Sequence, residues 1–267
     1  LLSRIHNAII YEFFKNNNNN HAYLKYINKV FFYFKKIIDL KMIISFNLRY
    51  DTERIFQKID RDLNIKYLVC QKECLFNANV LNNLKNSFLN LGKFTGDQIT
   101  VYNDQYKEMI TSIKFANDDV VSSIGMSRAD SCFHAKEKKK KHILFFLIRP
   151  KTGLVESKIN FSWDSIAEDT LNSTLSFAEK NPDLRFIFKI KIIDERETYK
   201  QQKMIKDKNL KNCYMVYGGN SHQLILNSKF IITFNSTAIF EGLASKKKIL
   251  IPFFKKKYEK YLKEFII

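Results

Sequence analysis

The chain has 267 residues, 45% of them hydrophobic, enough to bury a core in one large domain or two of ordinary size and to exclude a disordered chain. It carries 45 Lys and Arg against 27 Asp and Glu, a net charge of +18, and only eight of the basic residues are Arg. That charge favours anionic partners, namely nucleotide phosphates, nucleic acid or an anionic membrane surface, but no aromatic-basic stacking motif or recognition helix of a nucleic-acid reader accompanies it.

In chain order, Asn16 to Asn20 read as a loop. The apolar run from Val30 to Phe46 is broken by Lys35, Lys36, Asp39 and Lys41. A membrane span needs ~20 mostly apolar residues, so this run reads as a helix edge followed by a buried strand over 41–48. A helix over 51–64 is capped by Asp51 or Thr52, with Ile55, Ile59 and Leu63 on one face. Strand 66–70 follows, then helix 79–92 ended by Gly92, strand 98–103, a helix begun by Asp104, and a strand and turn over 119–125.

The basic run from Lys136 to His142 reads as a domain linker or a solvated strand entry. Beyond it the pattern repeats: strand 143–148, helix from Asp164, strand 185–193, a loop, strand 213–216, helix 221–228, strand 230–234, a helix with Ile239 and Leu243 on its inner face, and strand 248–253. Strands alternating with helices argue for an α/β fold with largely parallel sheets, split into two domains near residue 140.

Candidate chemistry collects at strand ends. Asn235, Ser236 and Thr237 lie between a strand and a helix, where Asn235 or Ser236 caps the helix and Glu241 lies one turn along. A carboxylate there suits a pair of sugar hydroxyls; a plain cap followed by a surface Glu is the alternative. Arg128, in Gly125-x-x-Arg128-x-Asp130, is either a phosphate donor or a member of an interdomain ion pair with Asp130 or a neighbour. Lys189 and Lys191 alternate on a strand, either meeting phosphate or protecting a sheet edge. Gly218 and Gly219 allow close backbone approach ahead of His222, a candidate donor contact and catalytic group. Without a GxGxxG fingerprint, NAD is not expected. Cys70, Cys74, Cys132 and Cys213 do not form a zinc set and read as free thiols. No clear Asp-x-Asp metal motif is present, so neither a metal nor another cofactor is expected.

The stretch "FIITFNSTAIFEGLASKKKILIPF", with Asn235, Ser236, Thr237, Glu241, Gly242, Ala244, Lys247 and Pro252 in order, resembles the nucleotide-binding domain of GT-B-type glycosyltransferases of bacterial surface-carbohydrate and capsule synthesis, a group related to CDP-glycerol glycerophosphotransferases. "YLVCQKECL", "SIGMSRADSCF" and "RFIFKIKI" resemble upstream pieces of the same pattern, in the same order. The resemblance covers about residues 45–253. It departs at Lys189-Ile190-Lys191-Ile192, where many relatives have Lys-Pro-His-Pro.

What the resemblance implies is an α/β fold of two Rossmann-like domains facing a cleft: an acceptor-side domain over 1–138 and a donor-binding domain over 139–267. The second stops before the family's returning helical stretch, so the chain is expected to be a fragment or a truncated member. The implied activity is metal-independent transfer of a sugar or polyol phosphate from a nucleotide-activated donor to a carbohydrate or lipid-linked acceptor. The departing diphosphate would be stabilised by amides and cations. Glu73, beside Lys72, is the expected base, with Asp97 in reserve and His222 as a second catalytic group. Arg128, Lys189, Gly218, Gly219, Asn235, Ser236, Thr237 and Glu241 would hold the donor. The expected location is cytoplasmic, with peripheral contact at the inner membrane face through Lys29, Lys35, Lys36 and Lys41 beside Phe31, Phe32 and Phe34. Two alternatives stand: a non-hydrolysing UDP-N-acetylhexosamine epimerase, and a non-catalytic basic protein that binds nucleotide or nucleic acid.

Overall fold

The structure is a computed structural model that describes residues 20–46, 56–58, 62–71, 85, 88–89, 92–135, 141–148, 163–191, 195–234 and 236–252. The chain divides into two compact units, Leu1–Met126 and Ser127–Ile267.

The first unit contains α1 (Asn20–Ile38), β1 (Met42–Ser45), β2 (Lys66–Cys70), β3 (Gln98–Val101), α2 (Asp104–Ser112) and β4 (Val121–Ser123). Its four described strands run parallel in the order β1-β2-β3-β4. Tyr67 and Val69 on β2 and Ile99 and Val101 on β3 alternate onto one face. There they pack with Phe88, Tyr106, Met109, Ile110, Phe115 and Val121. Helix α2 is capped by Asn103, whose Oδ1 accepts the Tyr106 N–H at 2.9 Å, and Asp104 occupies the first turn. The helix stops where Lys114 turns left-handed at φ 57°.

Two expectations for this unit change. Strand β1 is not buried: Met42 is 47% and Ile44 54% exposed, because among the described strands β1 has a neighbour on one side only. The helix before it is a full element that takes in Asn20, the last residue of the expected loop. Of the expected helix over 51–64, residues 56–58 and 62–63 are helical and residues 51–55 and 59–61 lie outside the described residues, as does most of that over 79–92. No helix among the described residues is long and apolar enough to cross a membrane.

The second unit opens with a 3-10 turn (Ser127–Ala129) and α3 (Asp130–Phe133). It continues through β5 (His142–Phe146), α4 (Trp163–Lys180), β6 (Phe186–Ile190), α5 (Tyr199–Lys208), β7 (Cys213–Tyr217), α6 (Ser221–Leu226), β8 (Ser228–Ile232), α7 (Ala238–Ala244) and β9 (Lys248–Leu250). Its five described strands are parallel, in the order β7-β6-β5-β8-β9. Both faces of the sheet are covered, which is why its strands read as nearly continuous apolar runs. Ile143, Phe145, Phe186 and Phe188 meet Ile166, Leu171 and Leu175 of α4 and Ile205 of α5 on one face. Leu144, Ile187 and Ile231 meet Ile225 of α6 and Ala238 of α7 on the other.

Helix α5 occupies what the sequence presented as a loop. Its inner side is Gln201, Gln202 and Ile205, too polar to register as an amphipathic stripe. The glutamines are buried because they are bonded: Gln201 Nε2 donates to the Ile148 carbonyl at 2.8 Å, and Gln202 Nε2 to Glu195 O and Thr198 Oγ1.

Candidate functional site

In the second unit β6 and β7 lie on one side of β5, and β8 and β9 on the other. The direction of strand order therefore reverses between β5 and β8. In open parallel sheets, ligands bind outside the carboxyl ends of the strands at this switch point. The chain leaving β8 there carries Thr233, Phe234, Ser236 and Thr237 into α7. Thr233 is fully buried and its Oγ1 has no hydrogen-bond partner. Ser236 Oγ accepts the Ala238 N–H at 3.3 Å. The residue at the cap position is Thr237, with helical backbone and no side-chain bond, so Ser236 tethers the first turn from one residue outside it. Helix α7 has seven residues.

Glu241 is the centre of the site, and it is not a surface residue. Its side chain is 1% exposed. Arg128 Nη2 lies 2.5 Å from Oε1, and His222 Nε2 lies 3.8 Å from Oε2. Oε1 makes no hydrogen bond of acceptable angle, so Arg128 holds it by charge and proximity. Arg128 comes from the 3-10 turn, and its side chain is 43% exposed; it pairs with Glu241 rather than with Asp130. Burial of Glu241 follows from the way α7 sits. Gly242 presses against the sheet: a Cβ there would stand 2.9 Å from Ile231 Cδ1 and 3.0 Å from Ile249 Cδ1. The inner face thus runs through Ala238, Ile239, Glu241 and Gly242. Leu243, expected inside, is 52% exposed for the same reason.

His222 enters from α6. Asn220 caps that helix, its Oδ1 accepting the Gln223 N–H at 3.2 Å. Gly218 and Gly219 take φ of 60° and 78°, the left-handed region that bends the chain from β7 into the helix. The Nδ1 of His222 lies 3.0 Å from Ser131 Oγ and 3.3 Å from Cys132 Sγ. The imidazole therefore stands between α3 and the Glu241 carboxylate, a connection that sequence reasoning missed because Ser131 and Cys132 lie about 90 positions away.

Lys189 is one residue from the end of β6, paired with Phe146 of β5 and Val216 of β7. It is 5% exposed, and its Nζ donates to the Ile190 carbonyl at 3.2 Å. Burial, with a smaller contribution from Lys191, lowers its pKa below the usual lysine value. The edge-strand reading is overturned, since β6 has strands on both sides. Lys191 lies beyond the strand, exposed.

Of the expected site residues, the structure brings Arg128, His222 and Glu241 together on elements that meet. It sets Ser236, Thr237 and Lys189 at carboxyl ends of β8 and β6. Glu73, Lys72 and Asn235 lie outside the described residues. Asp97 accepts the Tyr67 N–H at 2.7 Å and faces Lys66 at 3.8 Å, ties that anchor the start of β2. Among the described residues no group of three or more His, Cys, Asp or Glu is placed to hold a metal.

No family model matches the chain, and no curated protein matches it. Solved structures do. UDP-GlcNAc 2-epimerase from Neisseria meningitidis, bound to UDP-GlcNAc, superposes with a TM-score of 0.55 at 11% identity over 90% of this chain and 67% of its own. The fold is GT-B-like. UDP-GlcNAc 2-epimerase of Methanocaldococcus jannaschii, in complex with UDP-GlcNAc and UDP, gives 0.51 at 11% identity over 85% of this chain and 63% of its own. The pneumococcal O-GlcNAc transferase GtfA, with UDP and GlcNAc, gives 0.51 at 13% identity over 82% and 43%. The chain thus spans about two thirds of the epimerases and less than half of the transferase.

Proposed function

We propose that the chain is a nucleotide-sugar-binding enzyme, with a UDP-linked sugar seated at the carboxyl end of the second sheet. The observation that carries this is a buried carboxylate, Glu241, one turn beyond the switch-point segment of a Rossmann-like sheet. It has two cationic or ionisable neighbours and an oxygen without a proper hydrogen bond. In this reading Glu241 accepts the vicinal hydroxyls of the ribose. Ser236, Thr237 and the turn at Gly218 and Gly219 line the nucleotide, Asn235 stands with them in sequence, and Arg128 and Lys189 answer the phosphates. The similar structures that hold UDP or a UDP-sugar make UDP the first nucleotide to test. None of the three is a glycerophosphotransferase, so they lend the CDP-glycerol relation no support.

Two chemistries remain at such a site, and epimerisation is the better supported. Two of the three structures above are UDP-GlcNAc 2-epimerases, and inverting a carbon without net oxidation needs a group that takes a proton and a group that returns it. His222, held between Ser131 and Glu241, is suited to that exchange. Glycosyl transfer, with Glu73 as base toward an acceptor, is the second reading. Peripheral membrane contact would use the exposed Phe32, Phe34 and Ile37 of α1 beside its lysines.

Titration calorimetry with UDP and UDP-GlcNAc tests the binding. Saturable binding is expected, and a folded protein that takes neither overturns the proposal. Incubation with UDP-GlcNAc in heavy water then separates the chemistries. Epimerisation installs deuterium at sugar carbon 2; transfer or hydrolysis releases UDP and leaves that carbon unlabelled.

A further inference from the structure

The Arg128–Glu241 pair has an odd geometry for a permanent structural ion pair. Glu241 is buried to 1%, so a carboxylate with four acceptor positions is removed from water. One oxygen is poorly bonded: Oε1 touches Arg128 without hydrogen-bond alignment, while Oε2 lies 3.8 Å from His222. A buried charge held this way is costly unless its missing donors arrive from elsewhere. The cation is the exposed member. Arg128 is 43% exposed on a three-residue turn, so its guanidinium can swing away and be rehydrated while Glu241 stays fixed on α7.

We infer that Arg128 and a vicinal diol compete for Glu241, and that binding a nucleotide exchanges one for the other. Two hydroxyls of the ligand replace Arg128 on the carboxylate, supplying the aligned donors it lacks. The freed guanidinium turns to the diphosphate, whose oxygens it meets as a bidentate donor. Arg128 is then a specificity element as well as a phosphate contact. A nucleoside without phosphate displaces it with nothing offered in return, and a free phosphate leaves Glu241 still paired. Only a ligand carrying both groups satisfies both residues. This inference rests on the proposed nucleotide site and adds the exchange to it.

The unmodified protein provides the test. Calorimetry first establishes binding of uridine and of UDP. Phenylglyoxal modification of Arg128, followed by peptide mass spectrometry, then reads its freedom, with Arg185, stacked 4.5 Å over the Tyr214 ring, as internal control. Saturating uridine is expected to raise Arg128 reactivity several-fold, and saturating UDP to lower it below that of the free protein, while Arg185 is unchanged. Uridine that binds yet leaves Arg128 unchanged, or protects it as UDP does, overturns the exchange and leaves the site standing. If neither ligand binds, the site itself falls, and the exchange with it. Arg128→Gln gives a second measure: uridine should bind several-fold tighter and UDP lose its advantage over uridine. Equal changes for both ligands would contradict the exchange.

Discussion

Glu241→Gln keeps the shape of the side chain and removes the charge. Arg128 can return to water and a poorly bonded buried charge is removed, so the stability of the free protein should change by no more than about 1 kcal/mol. UDP should lose about 1.5–3 kcal/mol of affinity with the charged hydrogen bond. Urea titration and calorimetry on one preparation separate the two, and a UDP affinity equal to wild type would remove Glu241 from the nucleotide site. Lys189→Met should act oppositely on fold and ligand. The ammonium is desolvated and its pKa lowered, so an apolar chain of similar length leaves the free protein as stable or more so. UDP should weaken about tenfold, the scale of a lost charged contact, with uridine untouched; equal losses for both would exclude a phosphate role. His142 governs the acid limb. Burial lowers its pKa, as do Arg185, Lys141 and Lys247, against the raising effect of the Leu224 carbonyl that its Nε2 meets at 3.1 Å. The folded protein thus keeps His142 neutral where the unfolded chain binds a proton, below about pH 6.5. Stability should be level above that pH and fall as pH drops through it toward the lowered value. His142→Gln should flatten this limb in melts from pH 7 to 5.

At the scale of elements, α4 is the main buttress of one face of the second sheet. Ile166, Ala167, Thr170, Leu171, Thr174, Leu175 and Ala178 form its buried stripe. Thr170 and Thr174 close their hydroxyls onto the Ile166 and Thr170 carbonyls, leaving no open polar group against the sheet. Leu171 is fully buried, and Leu171→Ala should cost about 2–5 kcal/mol. Leu243→Ala, on the outer side of α7, should stay within about 0.5 kcal/mol. Chemical denaturation of the two variants checks the contrast; a large loss at Leu243 would mean that α7 faces the sheet differently. The same reasoning explains which helices were legible. The stripe of α4 is written in apolar residues at helical spacing, whereas that of α5 is written in glutamines whose partners, Ile148 and Glu195, lie outside the helix.

At the scale of the whole molecule, ligand linkage is the readable consequence. A nucleotide that binds only the folded chain at 100 times its Kd adds about 2.7 kcal/mol to stability, so UDP should raise the melting temperature in a concentration-dependent way. Free phosphate at equal ionic strength should do less, because it lacks the diol. Equal shifts from UDP and phosphate would assign the effect to the +18 charge alone.

The alternation of apolar strands with helices was legible in the sequence, α5 excepted. The runs at 143–146, 186–190 and 230–234 are apolar because both faces of a parallel sheet are covered, and that pattern survives in a linear string. The turn at Gly218 and Gly219 was legible too, as a local requirement of the backbone, whereas the cap of the helix after it, Asn220, was not singled out. Strand order was not legible, for nothing in the string of β5 says that β6 and β8 pack on its opposite sides. Nor was the pairing of Glu241 with Arg128 and His222. An isolated helix of seven residues offers its carboxylate to water, and only the press of Gly242 against Ile231 and Ile249 turns it inward. Burial raises the cost of an unpaired charge, and the fold meets that cost with a cation 113 positions earlier in the chain.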